Sequence, residues 1–340
     1  MDVDDYWYSK AMVDIMIVGQ GLVGSLVALE CIRKGRSVVV IDNPHESSAT
    51  KVAAGIMNPL VGPRLSPLWK GAERYDDIKA YYRGLEKMMG IACLNEHRLV
   101  RCLNTEIELE SYEKRIKDPE ISSIMKETGD WTPICESGKV QFEIPGVGQL
   151  DTKSFLAGAK KTIRNHGELI EDHMKVDDIQ GKASGVHWKG IVAKHLVFCE
   201  GAKGEGNPFF PDCKFKNARG HIVAFCMSGM PKNTILNHGK WCCPKGGSKG
   251  AFLYGASTFW EDSLEQNKAS EINIKASLAQ FLKVPIKIES IAFGIRPCLI
   301  QQRPFAGWSN REPSIGMING FGGQGVFLAP TVVQSFCRQI

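Results

Sequence analysis

"VDIMIVGQGLVG", residues 13–24, decides the fold. Its first half, 13–18, is a short β-rich apolar run, and its second half places Gly19, Gly21 and Gly24 in G-x-G-x-x-G spacing. Helical spacing follows through "LVGSLVALECIRKG", closed by Gly35, and "SVVVID" at 37–42 is the next strand. Strand, glycine turn, helix and strand together make one βαβ unit of a parallel sheet, and the near-continuous apolar strands predict burial on both faces. In this context the glycines form a dinucleotide-binding loop. Gly19 allows the tight turn, Gly21 lets backbone approach a pyrophosphate, and Gly24 permits close packing of helix on strand. Leu22 and Val23 open the helix, whose unpaired N–H groups suit phosphate oxygens. Asp42, at the end of the second strand, is placed to accept hydrogen bonds from an adenosine ribose, and its charge disfavours a 2′-phosphate. The loop alone does not choose NAD from FAD.

The rest of the chain surrounds that unit with a second domain. Its 340 residues, 43% of them hydrophobic, allow a large core and about two domains. A net charge of +5, concentrated in no run, neither indicates nor excludes nucleic acid and is compatible with a neutral or anionic small substrate; nucleic acid is not the expected partner. The eleven cysteines contain no C-x-x-C pair, so neither a zinc site nor a secreted disulfide framework is expected, and no metal site is assigned. The start "MDVDDYWYSK" is acidic and polar, unlike a signal peptide, and no run reaches the roughly eighteen apolar residues of a membrane span. A cytoplasmic protein without membrane insertion is the expectation.

After Pro67 the pattern turns helical, in "AERYDDIKAYYRGLEKMMG" and in "TEIELESYEKRIKD", where Thr105 and Glu108 are spaced as a capping box. A helix capped by Asp151 follows at 151–166, then short strands around a "QGKASG" turn, and then "KHLVFCEGA", whose strand ends at Gly201 and should rejoin the first sheet. From Arg219 to Phe293 strands and turns dominate, with one helix around "ASEINIKASLAQFL". The fold class is therefore α/β: a Rossmann-type domain made of 11–64, 145–212 and 294–340, interleaved with a smaller α+β substrate domain, 65–144 and 213–293, on a mostly antiparallel sheet.

A second glycine-rich turn, "MINGFGGQGVFLAP" at 317–330, follows late in the chain. With "SSATKVAAGIMNP" after the ribose acid, "VFCEGA", "RGHIVAF" and "FGIRPCLIQQRPFAG", it makes the chain resemble the FAD-dependent D-amino acid oxidase and glycine oxidase superfamily, from about residue 13 to the C-terminus. The resemblance implies noncovalent FAD, with Ser48, Thr50, Ala53, Ala54, Gly55 and Ile56 along the phosphates and flavin ring, and backbone at Lys175 or Val176 against adenine. Gly322, Gly323, Gln324, Gly325 and Val326 would admit the isoalloxazine and aim a helix N-terminus at its pyrimidine side, where positive partial charge stabilises anionic reduced flavin. Cys298 aligns with the cysteine that carries covalent flavin in monomeric sarcosine oxidases, but its surroundings differ.

For the substrate, the resemblance assigns Arg296 of "GIRP" to a carboxylate, a task that suits a guanidinium fork; a domain-bridging ion pair is the alternative. The family's tyrosine and second arginine are replaced by Trp241 and Gly323, leaving a one-arginine site with an aromatic lid, unless Trp241 is core. His221 of "RGHIVAF" maps to a strand position facing the substrate cavity, with a buried core histidine as the alternative. The implied reaction is oxidation of the C–N bond of a small amine or amino acid by hydride transfer to flavin N5, with oxygen or a quinone as acceptor. Two other readings stand: the late turn also resembles the oxidase domain that acts on the carboxymethylaminomethyl group of tRNA wobble uridine, and a non-enzyme reading is an FAD-bound sensor or assembly protein.

Overall fold

Val13–Val18 sits inside an eight-stranded sheet, paired in parallel with Val38–Asp42 on one side and Ile191–Phe198 on the other. The computed structural model describes residues 12–44, 46–68, 73–136, 138–182, 185–248 and 250–340; the opening "MDVDDYWYSK" and the middle of the "QGKASG" turn lie outside them. Glu168–Glu171 and Ile315–Asn319 extend the parallel sheet outward, and Phe305–Trp308 closes one edge antiparallel. Ile191–Phe198 thus returns to the first sheet, as its apolar run predicts. Alternation along Val13–Val18 divides its side chains between two cores. Ile15 and Ile17 pack with Leu26, Phe155 and Val333 of the helices Leu22–Arg33, Thr152–His166 and Gly325–Cys337. Met16 and Val18 pack on the other face with Trp188, Phe198 and Met317.

The last helix contains Pro330, which has no N–H to give the carbonyl one turn back. That carbonyl, on Val326, accepts instead from the buried Tyr82 hydroxyl at 2.8 Å, so helix Glu73–Met89 of the second domain supplies the missing bond. The two capping signals hold: Thr105 and Glu108 form the box at Glu106–Arg115, and Asp151 accepts from Ser154 N at the start of Thr152–His166. The helix expected around "ASEINIKASLAQFL" begins earlier, at Leu264, because Ser263 accepts from Gln266 N and caps it there.

A seven-stranded sheet carries the second domain, in the order Ile286–Arg296, Ala218–Met227, Ala251–Gly255, Trp241–Pro244, Thr234–Asn237, Leu94–Leu103, Val140–Leu150. All pairs are antiparallel except Thr234–Asn237 beside Leu94–Leu103. One face packs Val223, Phe225 and Phe252 against Ile274, Leu278 and Phe281 of helix Leu264–Phe281. The other face, with Leu99, Ile144 and Ile235, turns toward Ala54 and Leu60 of the first domain. Pairing runs to the strand ends, Leu94 with Leu150 and Ala218 with Arg296. The sequence boundaries at 145 and 294 consequently fall inside strands, and the chain leaves this sheet at Asp151 and Pro297.

Candidate active site

The glycine turn of the first domain is tight. Gly19 N donates to Ile41 O at 2.8 Å, and a Cβ on Gly24 would run into the Gly19 carbonyl, so helix Leu22–Arg33 lies on the strand at a distance only glycine allows. Its N-cap is Gly21, with no side-chain cap, and the Leu22 N–H donates to Thr50 Oγ1 at 3.1 Å. That bond ties the "SSATKVAAGIMNP" segment to the helix N-terminus. Asp42 Oδ1 accepts from Gln20 N at 2.8 Å, which fixes the carboxylate beside the turn.

These residues wall a cavity of about 620 Å³ that includes Gly19, Gly21, Leu22, Val23, Asp42, Ser48, Thr50 and Gly201. Its far wall is formed by Asp172, His173 and Met174; Lys175 and Val176, expected there, lie just beyond it, where the chain enters a single turn of 3₁₀ helix. Glu200 also lines this cavity. Burial pushes its carboxyl up to about 7, against an opposing hydrogen bond from Asn207.

A second cavity of about 600 Å³ is lined by Ala53, Ala54, Gly55, Ile56, Trp241 and Arg296, with Gly322, Gly323, Gln324, Gly325 and Val326 from the late turn. Leu22, Ala49, Thr50, Gly322 and Gly325 line both cavities, so the two adjoin across these residues. Gly55 has φ +73°, and a Cβ there would strike the Leu150 carbonyl, which locks the segment against the end of Val140–Leu150. A Cβ at Gly323 would meet nothing within 4 Å, so this turn presents bare backbone to open space. Two adjoining cavities, each with a glycine turn and helix N-terminus, and an acid at the ribose position fit FAD.

Arg296 ends its strand in the second cavity. Its Nη2 donates to Ser257 O at 2.9 Å and Thr258 Oγ1 at 2.8 Å, and among the described residues no carboxylate pairs with it. Burial lowers its pKa, as expected for a cation without an anionic partner. The alternative of a domain-bridging ion pair is therefore not what the structure has. Trp241 lines the same cavity, with its indole so close over Gly255 that a Cβ there would lie 3.1 Å away.

His221 does not face this cavity. Its neighbours Gly220 and Ile222 do, and strand alternation turns the imidazole to the opposite face, toward helix Leu264–Phe281. There it is buried against Phe259 and Phe293, and Nδ1 meets Ser270 Oγ at 3.1 Å. A cavity-facing role for His221 is corrected to a buried polar contact. Its network continues from Ser270 Oγ to Ser257 Oγ at 2.7 Å, and Ser257 is the residue whose carbonyl holds Arg296. Cys298 is outside both linings, and its chain pairs with Phe321 beside the late turn.

Sequence reasoning missed Arg101. It lies on Leu94–Leu103, is 2% exposed, and joins the cavity wall with Asn237 and Glu108. A charged residue inside the apolar run "RLVRCL" was the available signal. Among the described residues no helix is long and apolar enough to cross a membrane, and all eleven cysteines are free thiols.

The structure is similar to glycine oxidase from Geobacillus kaustophilus, with a TM-score of 0.76 at 20% identity, covering 97% of this chain and 95% of that one. Iminodiacetate oxidase from Chelativorans sp. BNC1 gives a TM-score of 0.73 at 16% identity, covering 95% and 94%. At such identities the likeness concerns the fold. In sequence, the uncharacterised oxidoreductase YurR of Bacillus subtilis is 28% identical over 190 residues, 50% of this chain and 51% of that protein, so the chain spans about half the length of this curated relative. The family profile DAO, FAD dependent oxidoreductase, matches residues 14–334 and, with the adjoining cavities just described, places the chain in that family: it is a DAO-family, FAD-dependent oxidoreductase.

Proposed function

We propose that the chain oxidises the carbon–nitrogen bond of a small amine or amino acid bearing a carboxylate, and that Arg296 holds that carboxylate. One observation carries the reading: a partly buried guanidinium with no acidic partner among the described residues stands in the cavity that the late glycine turn opens onto. Bound FAD would supply the electron-pair acceptor for oxidation at the carbon that bears the neutral amine. The chain's own residues bind and orient. Ser257 and Thr258 fix Nη2 and so orient the guanidinium, leaving N–H groups on Nη1 and Nε to donate to a carboxylate. Val52, Ile222 and Trp241 make the adjoining wall apolar and keep water away from the reacting carbon.

No protein base is required if the amine arrives unprotonated. Glu108, a carboxylate in the cavity wall, already accepts from Asn104 N, Thr105 N and Thr105 Oγ1 and is engaged as a structural cap. The amine proton passes to solvent, and water hydrolyses the released imine. Glycine oxidase and iminodiacetate oxidase are named for amino carboxylates, which supports this substrate class. Oxygen or a quinone is the reoxidant in this reading, and free thiols throughout accord with a cytoplasmic setting. Membership of an oxidoreductase family sets the sensor reading aside.

The test is anaerobic bleaching of the flavin by paired amines with and without a carboxylate, such as glycine and methylamine, sarcosine and dimethylamine, or iminodiacetate and diethylamine. Bleaching by at least one carboxylated member, and not by its partner, is expected. Equal bleaching by both members of every pair would remove Arg296 from the reading. No bleaching by any small amine, together with a salt-dependent shift of tRNA, would favour the wobble-uridine substrate instead.

A further inference from the structure

The register of the seven-stranded sheet draws one row of residues across the cavity floor. Arg101 pairs with Asn237, Asn237 with Trp241, Trp241 with Gly255, and Gly255 with Ile222. Arg101, Asn237, Trp241 and Ile222 all line the same cavity. The row is polar at one end and apolar along its middle, where the Trp241 ring covers bare Gly255 beside Ile222. Arg296 stands beyond the apolar end, two strand residues past Gly294, which lines the cavity with it. Four strand spacings, about 19 Å, separate Ile222 from Arg101 along the sheet.

The polar end is built to donate. Arg101 Nη1 donates to Asn237 Oδ1 at 3.0 Å, and Nη2 donates to Gly62 O at 3.2 Å. Glu108 Oε1 lies 3.7 Å from Nη2, a loose pairing for two side chains this buried. Arg101 Nε has no partner among the described residues. Asn237 Oδ1 also accepts from Gly239 N, so the end of its amide left over is Nδ2, a donor. Buried donors in excess of acceptors cost free energy unless a ligand completes them.

We propose that Arg101 and Asn237 form a distal anion subsite, and that the substrate is an amine with two acidic groups separated by an apolar stretch, one on Arg296 and the other on Arg101. This rests on the reading of Arg296 given above. The separation selects extended molecules and excludes compact diacids, which reach only one arginine.

The experiment uses the FAD-loaded protein and the flavin absorbance shift that a bound carboxylate produces. Succinate, adipate, suberate and sebacate are titrated against butyrate, hexanoate, octanoate and decanoate of matching length. Long diacids should bind roughly 10- to 100-fold more tightly than matching monoacids, the factor for a hydrogen bond to a charged group, with no advantage for succinate. An apolar tunnel would give the opposite order, since the methyl end of decanoate would be preferred. Glu108→Gln keeps a cap-competent side chain and removes the competing charge, so it should raise diacid affinity several-fold without changing the monoacids. Asn237→Ala should erase part of the diacid advantage. Monoacids that bind as well as every diacid would overturn the distal subsite and leave Arg296 standing. Absence of binding by either series would overturn the Arg296 reading itself.

Discussion

Replacing Arg296 by methionine tests the centre of the proposed chemistry. The side chain is similar in length, so packing against the cavity wall is largely kept while the fork is lost. A guanidinium has five N–H donors. Two belong to Nη2, which is held by Ser257 O and Thr258 Oγ1; the N–H groups left on Nε and Nη1 point to opposite sides of Cδ, so a carboxylate takes one charged hydrogen bond from them. A hydrogen bond to a charged group contributes about 1.5 to 3 kcal/mol, so losing it removes about that much from the bound state. That corresponds to a fall in kcat/KM of roughly 10- to 100-fold. KM should carry most of it, because the carboxylate is held in ground and transition states alike, and kcat should also fall as the reacting carbon loses its alignment. Arg296→Lys keeps the charge without the fork and should sit between the two. Flavin content should be unchanged in both variants if Arg296 meets the substrate and not the cofactor. Steady-state turnover with the bleaching amine, beside the flavin-to-protein absorbance ratio, measures both quantities. A methionine variant within about threefold of the parent in kcat/KM would refute carboxylate binding by Arg296; a variant that loses flavin would show the arginine holding the cofactor site together.

Gly24→Ala places a methyl group on the Gly19 carbonyl, so the helix must move off the strand; the protein should purify without its flavin band and with a lower Tm. Glu200, raised to about 7 by burial in the dinucleotide cavity, is largely protonated below that pH and gains a negative charge above it. FAD affinity, followed by fluorescence titration, should therefore fall above pH 7 by up to about tenfold per unit, and Glu200→Gln should flatten the profile. A parent profile identical to that of the glutamine variant would exclude the linkage. His238 is held at about 4, first by desolvation, with its ring stacked 3.5 Å from Phe281 and Nε2 on the Tyr254 hydroxyl at 2.9 Å. A histidine with a depressed pKa is neutral in both states above its ordinary 6.5, whereas below that value the unfolded chain takes up the proton first. Stability should fall by about 3 kcal/mol between pH 6.5 and 4 and stay level above, relative to His238→Gln in denaturant melts at each pH.

The nucleotide half of the site was legible because its signals are local. Gly24 must be glycine for a contact with Gly19 five residues away, Thr105 and Glu108 meet within one turn, and the apolar run at 13–18 reports its two-faced burial directly. The substrate half is different in kind. Whether position 220, 221 or 222 points into the cavity is a one-residue phase set by pairing with Ile286–Arg296 and by the helix on the far face, and the run "RGHIVAF" is apolar enough on both faces to hide it. His221 was misplaced for that reason, although its bonds through Ser270 and Ser257 still reach the backbone that holds Arg296. Arg101 was invisible for a second reason: its partner Asn237 lies 136 residues away and meets it through the parallel pair in this sheet. A row of cavity residues perpendicular to the strands takes one residue from each and leaves no period along the chain. Specificity written across strands can therefore change by single substitutions at Arg101, Asn237, Trp241 or Ile222 while the along-strand pattern that builds the fold is untouched. The cofactor signals are local along the chain, and the residues across the cavity floor are not.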